Sequence, residues 1–341
     1  MLARVSAALL GVVLSVGAAR AEDTTIKFTL GWKTQGSDAA FFYAQDNGYF
    51  KQEGLNVVID KGNGSGATVT HIMSGAYDAG FGDINALIQN ASTKPDDAPV
   101  MVYMVWNQPP FAIVTKKTSG INTIKDFEGH TLGGAQGTPT TRLLPVFVQK
   151  NKLEGEKIKL SNMAPNLQEP MLIKGDIDAA LVFNITSYFN LVLNNQDPDK
   201  DYKWFSFGDY GMDLYSNGVM VSRKLMTSNP KAVAGLIRAI NKGMIAVAKD
   251  QNAGIKAALN YDNQINVDVE KRRLQYSFDK LIVSPEMKEI GVGDVKDDRM
   301  TRAIGIVVEG YQLTRTPTPS EVFSREFLPP RAERELTYTA N

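Results

Sequence analysis

Residues 75–79 have the sequence GAYDA, and residues 175–179 have the sequence GDIDA. Each copy follows an apolar, helix-like segment and precedes a short apolar run that is typical of a buried strand. A further match lies upstream, where residues 29–32 (TLGW) correspond to residues 131–134 (TLGG). Because these matches run in the same order along the chain, they indicate two similar α/β lobes. The alternative is that Gly-x-x-Asp-Ala is common turn chemistry and that the repeat is chance.

The order of the predicted strands and helices divides the chain into three pieces. We expect residues 22–112 and 222–341 to form one discontinuous lobe and residues 113–221 to form the other, with chain crossings near Phe111 and Val219. Two crossings permit hinge closure of the lobes. A cleft between two lobes is a usual place for a small ligand. The fold class predicted is therefore α/β, with a ligand cleft between the lobes.

The first residues have the pattern of a secretory signal peptide. Arg4 is followed by fifteen uncharged residues, and residues 19–21 (ARA) fit a small-x-small cleavage sequence. A membrane anchor is the alternative, but the apolar run is shorter than the roughly 20 residues that a spanning helix needs. We expect cleavage before Glu22 and, because the chain has no cysteine to carry a lipid anchor, a freely diffusing protein of a bacterial periplasm.

Composition argues against several functional classes. Without Arg4 and Arg20 the chain has 35 basic and 37 acidic residues, and it has no basic tract of the kind that binds nucleic acid. The absence of cysteine excludes disulfides and thiol catalysis. His71 and His130 are the only histidines, and neither a metal-binding spacing nor a Gly-x-Ser-x-Gly motif is present. We expect no cofactor, no nucleic-acid partner and no enzymatic activity.

The loops that follow the predicted strands carry one set of candidate ligand contacts. In open α/β sheets, ligands bind at the carboxyl ends of strands, where helix N-termini offer free N–H groups and a partial positive charge. Glycine lets the backbone approach a ligand closely, and hydroxyl and amide side chains add hydrogen bonds. The candidates of this kind are Ser37, Ser65, Gly66, Thr138 and Asn166. The alternative for the polar ones is that they only cap helices; Thr138 followed by Pro139 is a strong helix start.

Aromatic residues near the same loops form a second set of candidates. Trp32 directly follows the first strand, where its ring would project into the cleft and stack on a flat ligand. Trp106, Phe183 and Tyr188 are further candidates for contact with such a ligand.

A third set of candidates is polar. Asp83, Asn85 and Asn184 stand at matched ends of the two repeat strands, where they could hydrogen-bond one ligand from both sides or cap the helices that follow. Glu169 lies in the first turn of its helix, where an acid interacts favourably with the helix dipole. It could also pair with an amino group of the ligand.

Several short motifs along the chain resemble those of a known family. Residues 48–51 (GYFK), followed by residues 53–55 (EGL) and Val57, resemble a signature of the substrate-binding proteins of ABC importers. The branch is the NMT1/THI5-like group, which includes binders of nitrate, sulfonate, taurine and pyrimidine precursors. Matches continue at Gly82, Asp83 and residues 120–129, and the likeness covers roughly residues 26–222.

The resemblance implies a type II periplasmic-binding-protein fold that delivers a small ligand to an ABC permease in the inner membrane. We expect a monomer and a polar or anionic organic ligand, either aromatic, heteroaromatic or a sulfonate. The positions implied as ligand contacts are Trp32, Ser37, Ser65, Gly66, Asp83, Thr138, Asn166 and Phe183. Two alternatives are a ligand-sensing subunit of a membrane receptor and an exported enzyme that acts on a small metabolite.

The chain departs from parts of this family. Pyrimidine-precursor binders usually have a Trp-x-Pro-Asn-like loop after the first strand, whereas residues 32–35 here are WKTQ. The yeast-type pyrimidine synthases of the superfamily use a cysteine cluster and a histidine, and this chain has no cysteine. These departures weaken the resemblance to both subgroups.

Overall fold

The computed structural model describes residues 23–338. The predicted signal peptide, residues 1–21, lies outside the described residues. Within the described range, no helix is both long and apolar enough to cross a bilayer.

Within residues 23–338, ten strands form two five-stranded sheets with the same plan. The first sheet has the order β2-β1-β3-β10-β4 and the second the order β7-β6-β8-β5-β9. The strands are β1 Thr24–Thr29, β2 Leu55–Asp60, β3 Ala79–Asp83, β4 Val100–Met104, β5 Phe111–Lys116, β6 Thr131–Ala135, β7 Lys159–Met163, β8 Ala179–Phe183, β9 Tyr202–Ser206 and β10 Asn217–Val221.

The strand directions of the two sheets also agree. In each sheet the three strands at one side are parallel, with β1 between β2 and β3, and β6 between β7 and β8. One antiparallel strand then follows, β10 in the first sheet and β5 in the second. Both antiparallel strands directly follow a segment that crosses from one sheet to the other. The chain therefore crosses between the sheets twice.

Fourteen α-helices of the described residues cover the sheets. They are α1 Ala39–Asp46, α2 Tyr49–Gln52, α3 Ser65–Met73, α4 Ile84–Thr93, α5 Pro139–Lys150, α6 Gln168–Lys174, α7 Asn184–Leu193, α8 Arg223–Ser228, α9 Pro230–Lys249, α10 Gln251–Tyr261, α11 Val267–Ser277, α12 Pro285–Ile290, α13 Asp297–Gly310 and α14 Pro319–Val322.

Each sheet with the helices packed on it is called a lobe below. Helices α1, α9, α10 and α11 share one buried apolar cluster with the first sheet, so they belong to the first lobe. Helices α5, α6 and α7 cover the second sheet. Helix α13 contacts both α4 and α5, so it packs on both lobes. The exact lobe boundaries predicted from the sequence stay a prediction.

The repeated Gly-x-x-Asp-Ala units have matching positions in the two lobes. Gly75 and Gly175 follow helices α3 and α6 in the left-handed conformation, with φ of 76° and 90°, which glycine adopts without steric cost. The carboxylate of Asp78 accepts a hydrogen bond from the Lys27 N–H (2.9 Å), and that of Asp178 accepts one from the Thr131 N–H (2.7 Å). Each unit therefore joins the start of its β-strand to the neighbouring parallel strand, at Lys27 of β1 and at Thr131 of β6.

The reverse hydrogen bond completes each pair. The backbone N–H of Asp78 donates to the Lys27 carbonyl (3.0 Å), and that of Asp178 donates to the Thr131 carbonyl (2.9 Å). The reciprocal bonds set where β3 begins relative to β1, and where β8 begins relative to β6. Because side chains alternate along a strand, this register decides which residues the strand ends present.

We predict that Asp178→Ala lowers the free energy of unfolding by about 1–3 kcal/mol, because the partly buried Thr131 N–H loses a charged acceptor. The matched control is Asp176→Ala, which removes an exposed ion pair with Lys174 and should change stability by less than about 1 kcal/mol. Urea unfolding of both variants measures the difference. Equal losses in the two variants would show that the Asp178 bond does not stabilise the sheet.

Candidate functional site

A cavity of about 380 Å³ lies between the two lobes, within the size range of about 300–1,000 Å³ for small-molecule sites. The first lobe contributes the loop after β1, the start of α3 and residues of α11, and the second lobe contributes the starts of α5, α6 and α7. The principal lining residues are Trp32, Lys33, Gln35, Asp38, Ser65, Phe81, Trp106, Thr138, Asn166, Gln168, Glu169, Phe183, Thr186, Ser187, Asn190, Asn217, Asn266, Glu270 and Arg273.

Seven of the predicted contact residues line this cavity: Trp32, Ser65, Trp106, Thr138, Asn166, Glu169 and Phe183. They come from both lobes and from segments far apart in sequence. The structure thus brings them together around one space, and their role in ligand binding stays a prediction.

The other six predicted residues lie outside the lining: Ser37, Gly66, Asp83, Asn85, Asn184 and Tyr188. Asp83 is fully buried and caps α4, where its carboxylate accepts the N–H groups of Asn85 (3.0 Å) and Ala86 (3.1 Å). The Asn85 amide donates to the Tyr215 carbonyl (2.8 Å), and the Tyr188 hydroxyl donates to Asp199 (2.7 Å). The protein itself thus supplies partners for the Asp83 carboxylate, the Asn85 amide nitrogen and the Tyr188 hydroxyl. Contact of the Tyr188 ring with a flat ligand stays a prediction.

Ser37, Gly66 and Asn184 lie close to the cavity wall but are not part of it. Ser37 is buried in a single helical turn before α1. A β-carbon added at Gly66 would lie 2.7 Å from the Gly137 carbonyl oxygen of the second lobe. Gly66 therefore allows close approach of the two lobes. Asn184 begins α7.

Aromatic rings form one wall of the cavity. Trp106 is almost fully buried, and its ring lies 5.2 Å from that of Phe81 at a right angle and 6.0 Å from that of Phe183. These rings therefore support one another. Trp32 is only half-buried, lines the cavity and makes no aromatic contact within the described residues, so part of its indole is available for contact with a flat ligand.

Ionisable groups in the lining are three acids and two bases. Glu169 is only 4% exposed and accepts a hydrogen bond from the Ser187 hydroxyl. No lysine or arginine of residues 23–338 forms an ion pair with it. Lys33 is exposed at the cavity mouth. The interior of the cavity therefore has a carboxylate without a cationic partner.

Asp38, Glu270 and Arg273 form a buried cluster at one side of the cavity. None of the three was among the ligand contacts predicted from the sequence. Arg273 donates to Glu270 (2.9 Å), which also accepts the backbone N–H of Gly36 (2.6 Å). Glu270 and Arg273 lie three residues apart on α11, a spacing that brings side chains together on a helix. That spacing was the one signal in the sequence. It does not show that α11, which begins more than 230 residues after Gly36, lies beside the cleft.

Burial raises the pKa of the Asp38 carboxyl from its ordinary 3.8 to about 8. The nearby Glu270 also raises it, whereas the N–H donated by Gln35 (3.2 Å) and the charge of Arg273 lower it. Burial likewise raises the pKa of Asp83 to about 6, against hydrogen bonds from Ala86, Asn85 and Ser216 that lower it. Both carboxyls therefore hold a proton more tightly in the folded protein than in the unfolded chain.

The family described as NMT1/THI5 like matches residues 36–253. The chain belongs to this family. The match includes the starts of α3, α5, α6 and α7, which line the cavity. It begins after the lining residues 31–35 of the loop that follows β1, and it ends before α11.

Solved structures of similar fold cover most of the chain. The alkanesulfonate-binding protein SsuA from Xanthomonas axonopodis pv. citri, bound to MOPS, is 15% identical with a TM-score of 0.66, covering 90% of this chain and 99% of its own. The periplasmic nitrate-binding protein NrtA from Synechocystis PCC 6803 is 12% identical with a TM-score of 0.64, covering 90% and 87%. Together with the two mixed sheets, these similarities confirm the predicted periplasmic-binding-protein fold.

Two curated relatives correct one prediction. Proteins of Schizosaccharomyces pombe and Aspergillus parasiticus named 4-amino-5-hydroxymethyl-2-methylpyrimidine phosphate synthase are each 21% identical to this chain. They match 84% and 85% of it, and 83% and 86% of their own lengths. The prediction that the chain is not an enzyme is therefore wrong, because relatives that span most of its length are named as an enzyme. That prediction was based only on the absence of known catalytic motifs, and such an absence does not exclude catalysis.

We predict that Asp38→Asn removes a pH dependence of stability. Between about pH 4 and pH 8 folded Asp38 keeps a proton that the unfolded chain has released, so stability falls as pH rises through this range. One proton contributes a slope of at most about 1.4 kcal/mol per pH unit. The variant should therefore gain stability relative to the wild type from pH 5 to pH 8, measured by urea unfolding at each pH.

The exposed substitution Asp46→Asn, at the far end of α1, is the control for the loss of one negative charge. A constant stability difference between Asp38→Asn and the wild type at every pH would mean that Asp38 does not hold its proton.

Proposed function

We propose that this protein captures a small organic ligand in the cavity between its lobes and delivers it to an ABC permease from the periplasm. The family, the fold and the names of the structural neighbours support a solute-binding role. The single observation that carries the proposal is the cavity itself, which is lined by both lobes and is large enough for one small ring system.

The charges in the cavity favour a ligand that donates hydrogen bonds. Glu169 lies in the interior without an ion-pair partner, and Arg273 is already occupied by Glu270 and by backbone carbonyls. An anion such as a sulfonate would meet the Glu169 carboxylate without a free buried cation to offset the repulsion. We therefore propose a flat ligand with an amino or protonated nitrogen group that faces Glu169 and a ring that stacks on Trp32.

The direct test is to identify what the protein carries. Protein purified under native conditions is denatured, and the released small molecules are identified by mass spectrometry. The proposal predicts a nitrogen-bearing ring compound that stabilises the refolded protein in a thermal-shift assay, by about 2.7 kcal/mol at 100 times its dissociation constant. A sulfonate or nitrate that stabilises the protein, with no effect from nitrogen-bearing rings, would contradict the proposed ligand class.

We predict that Glu169→Gln weakens binding of the identified ligand by about tenfold or more, because a hydrogen bond to a charged group contributes about 1.5–3 kcal/mol. Isothermal titration calorimetry measures the change. The matched control is Glu156→Gln, which removes an exposed carboxylate from the same lobe and should leave affinity unchanged. A Glu169→Gln variant that binds as tightly as the wild type would show that the carboxylate does not face the ligand.

We predict that Trp32→Ala also weakens binding, since an aromatic pair contributes about 0.5–1.5 kcal/mol beyond the apolar area that it buries. Trp32→Phe retains a ring and should restore part of the affinity. The same calorimetric titration compares the three proteins. If alanine and phenylalanine at this position bind equally well, ring stacking does not contribute.

The curated relatives favour a second candidate function, synthesis of a phosphorylated pyrimidine, since they match most of the chain and are named for that activity. Incubation of the identified ligand with an equimolar amount of protein, followed over time by mass spectrometry, separates the two functions. Conversion of the ligand to a covalently different product would establish an enzyme, whereas recovery of the unchanged ligand would favour the solute-binding role.

A further inference from the structure

The first turn of α7 is embedded in the opposite lobe. Ile185 belongs to a helix of the second lobe, yet it is fully buried in the apolar cluster that contains Leu274 and Phe278 of the first lobe. The aromatic rings of Phe189 and Tyr276, one from each side, meet at 5.8 Å. The lobes therefore contact each other through protein atoms beside the cavity, as well as through the chain crossings.

Arg273 makes the polar part of this contact. Its guanidinium is 2% exposed and donates to the backbone carbonyls of Ile185 (2.7 Å) and Thr186 (3.3 Å). The same group lies 5.0 Å from the centre of the Phe189 ring, a cation–π distance. Both carbonyls and the Phe189 ring lie in the first two turns of α7.

Glu270 holds Arg273 in place from its own helix. The Glu270 carboxylate accepts hydrogen bonds from Nε of Arg273 (2.9 Å) and from the backbone N–H of Gly36 (2.6 Å). The adjacent Gln35 side chain donates to the Thr186 hydroxyl (3.3 Å). The loop after β1, helix α11 and helix α7 thus form one hydrogen-bonded unit across the cleft.

Opening of the cleft would be costly at this position. Opening would break the hydrogen bonds that the Arg273 guanidinium donates to the Ile185 and Thr186 carbonyls and would end its contact with the Phe189 ring, while its pair with Glu270 would remain. Ile185 would at the same time leave an apolar cluster and become exposed. Both effects favour the closed arrangement, and neither requires a ligand.

We propose that Arg273 is a positioning residue that ties α7 to the first lobe and keeps the cleft predominantly closed in the ligand-free protein. This inference does not depend on the proposed function, because the contacts are the same whether the cavity holds a transported solute or a substrate. It predicts that opening of the cleft limits ligand binding, and that the contacts of Arg273 determine how often the cleft opens.

The test uses the double substitution Glu270→Gln and Arg273→Gln in the full chain. The pair of glutamines removes the guanidinium that spans the cleft without leaving one buried charge unpaired. Lys271→Gln is the matched control, since it removes an exposed positive charge from the same helix.

The distance between lobes is measured without ligand by single-molecule energy transfer. The chain has no cysteine, so cysteines introduced at the exposed positions Gln52 and Glu156, one in each lobe, are the only labelling sites. We expect the double variant to shift the equilibrium toward the open form by about tenfold or more, given the loss of two charged hydrogen bonds. Lys271→Gln should have the wild-type distribution.

Arg273→Lys keeps the test decisive if the double variant does not fold. Lysine retains the charge opposite Glu270 but lacks the planar fork that reaches two acceptors. It should therefore give an intermediate open population together with wild-type circular dichroism. Wild-type distance distributions in Arg273→Lys and in any folded double variant would overturn the proposal, as would a wild-type protein that is already predominantly open.

Discussion

Two aspartates determine where the ends of the central strands lie. Asp78 exchanges two hydrogen bonds with Lys27 of β1, and Asp178 exchanges two with Thr131 of β6. Strands β3 and β8 therefore begin at equivalent heights in their sheets. Their carboxyl ends, and the helices α4 and α7 that follow, consequently lie at equivalent places beside the cleft. The register of these bonds is the constraint on which the cavity depends.

The cavity shows why a shared fold does not specify a ligand. The structural neighbours include proteins named for sulfonate and nitrate binding, at 15% identity or less. Here the buried ionisable residues of the lining are Glu169, Asp38 and the mutually paired Glu270 and Arg273. Burial keeps Asp38 protonated up to about pH 8. Glu169 is then the acid of the lining that has no cationic partner among residues 23–338, and Arg273 is engaged by protein groups. The fold is shared, whereas the charges of the lining residues decide which ligands are favourable.

Sequence patterns predicted the repeated parts of the molecule and failed for parts that depend on tertiary contacts. Gly75 and Gly175 could be assigned to helix ends because their conformation is local. Trp32 and Glu169 were placed near the cavity because they directly follow predicted strands or begin helices. Asp83 and Asn85 stand at an equally suggestive strand end, but the Asp83 carboxylate caps α4 and the Asn85 amide nitrogen donates to the Tyr215 carbonyl. Arg273 was missed because only the folded chain brings α11 to the cleft.

A crystal structure of the protein with the compound that it co-purifies with tests the central claim most directly. The account predicts electron density for a flat ligand between the lobes, with its ring against Trp32 and a nitrogen group within hydrogen-bond distance of the Glu169 carboxylate. A ligand bound outside this cavity, or an anionic group of the ligand placed against Glu169, would contradict it.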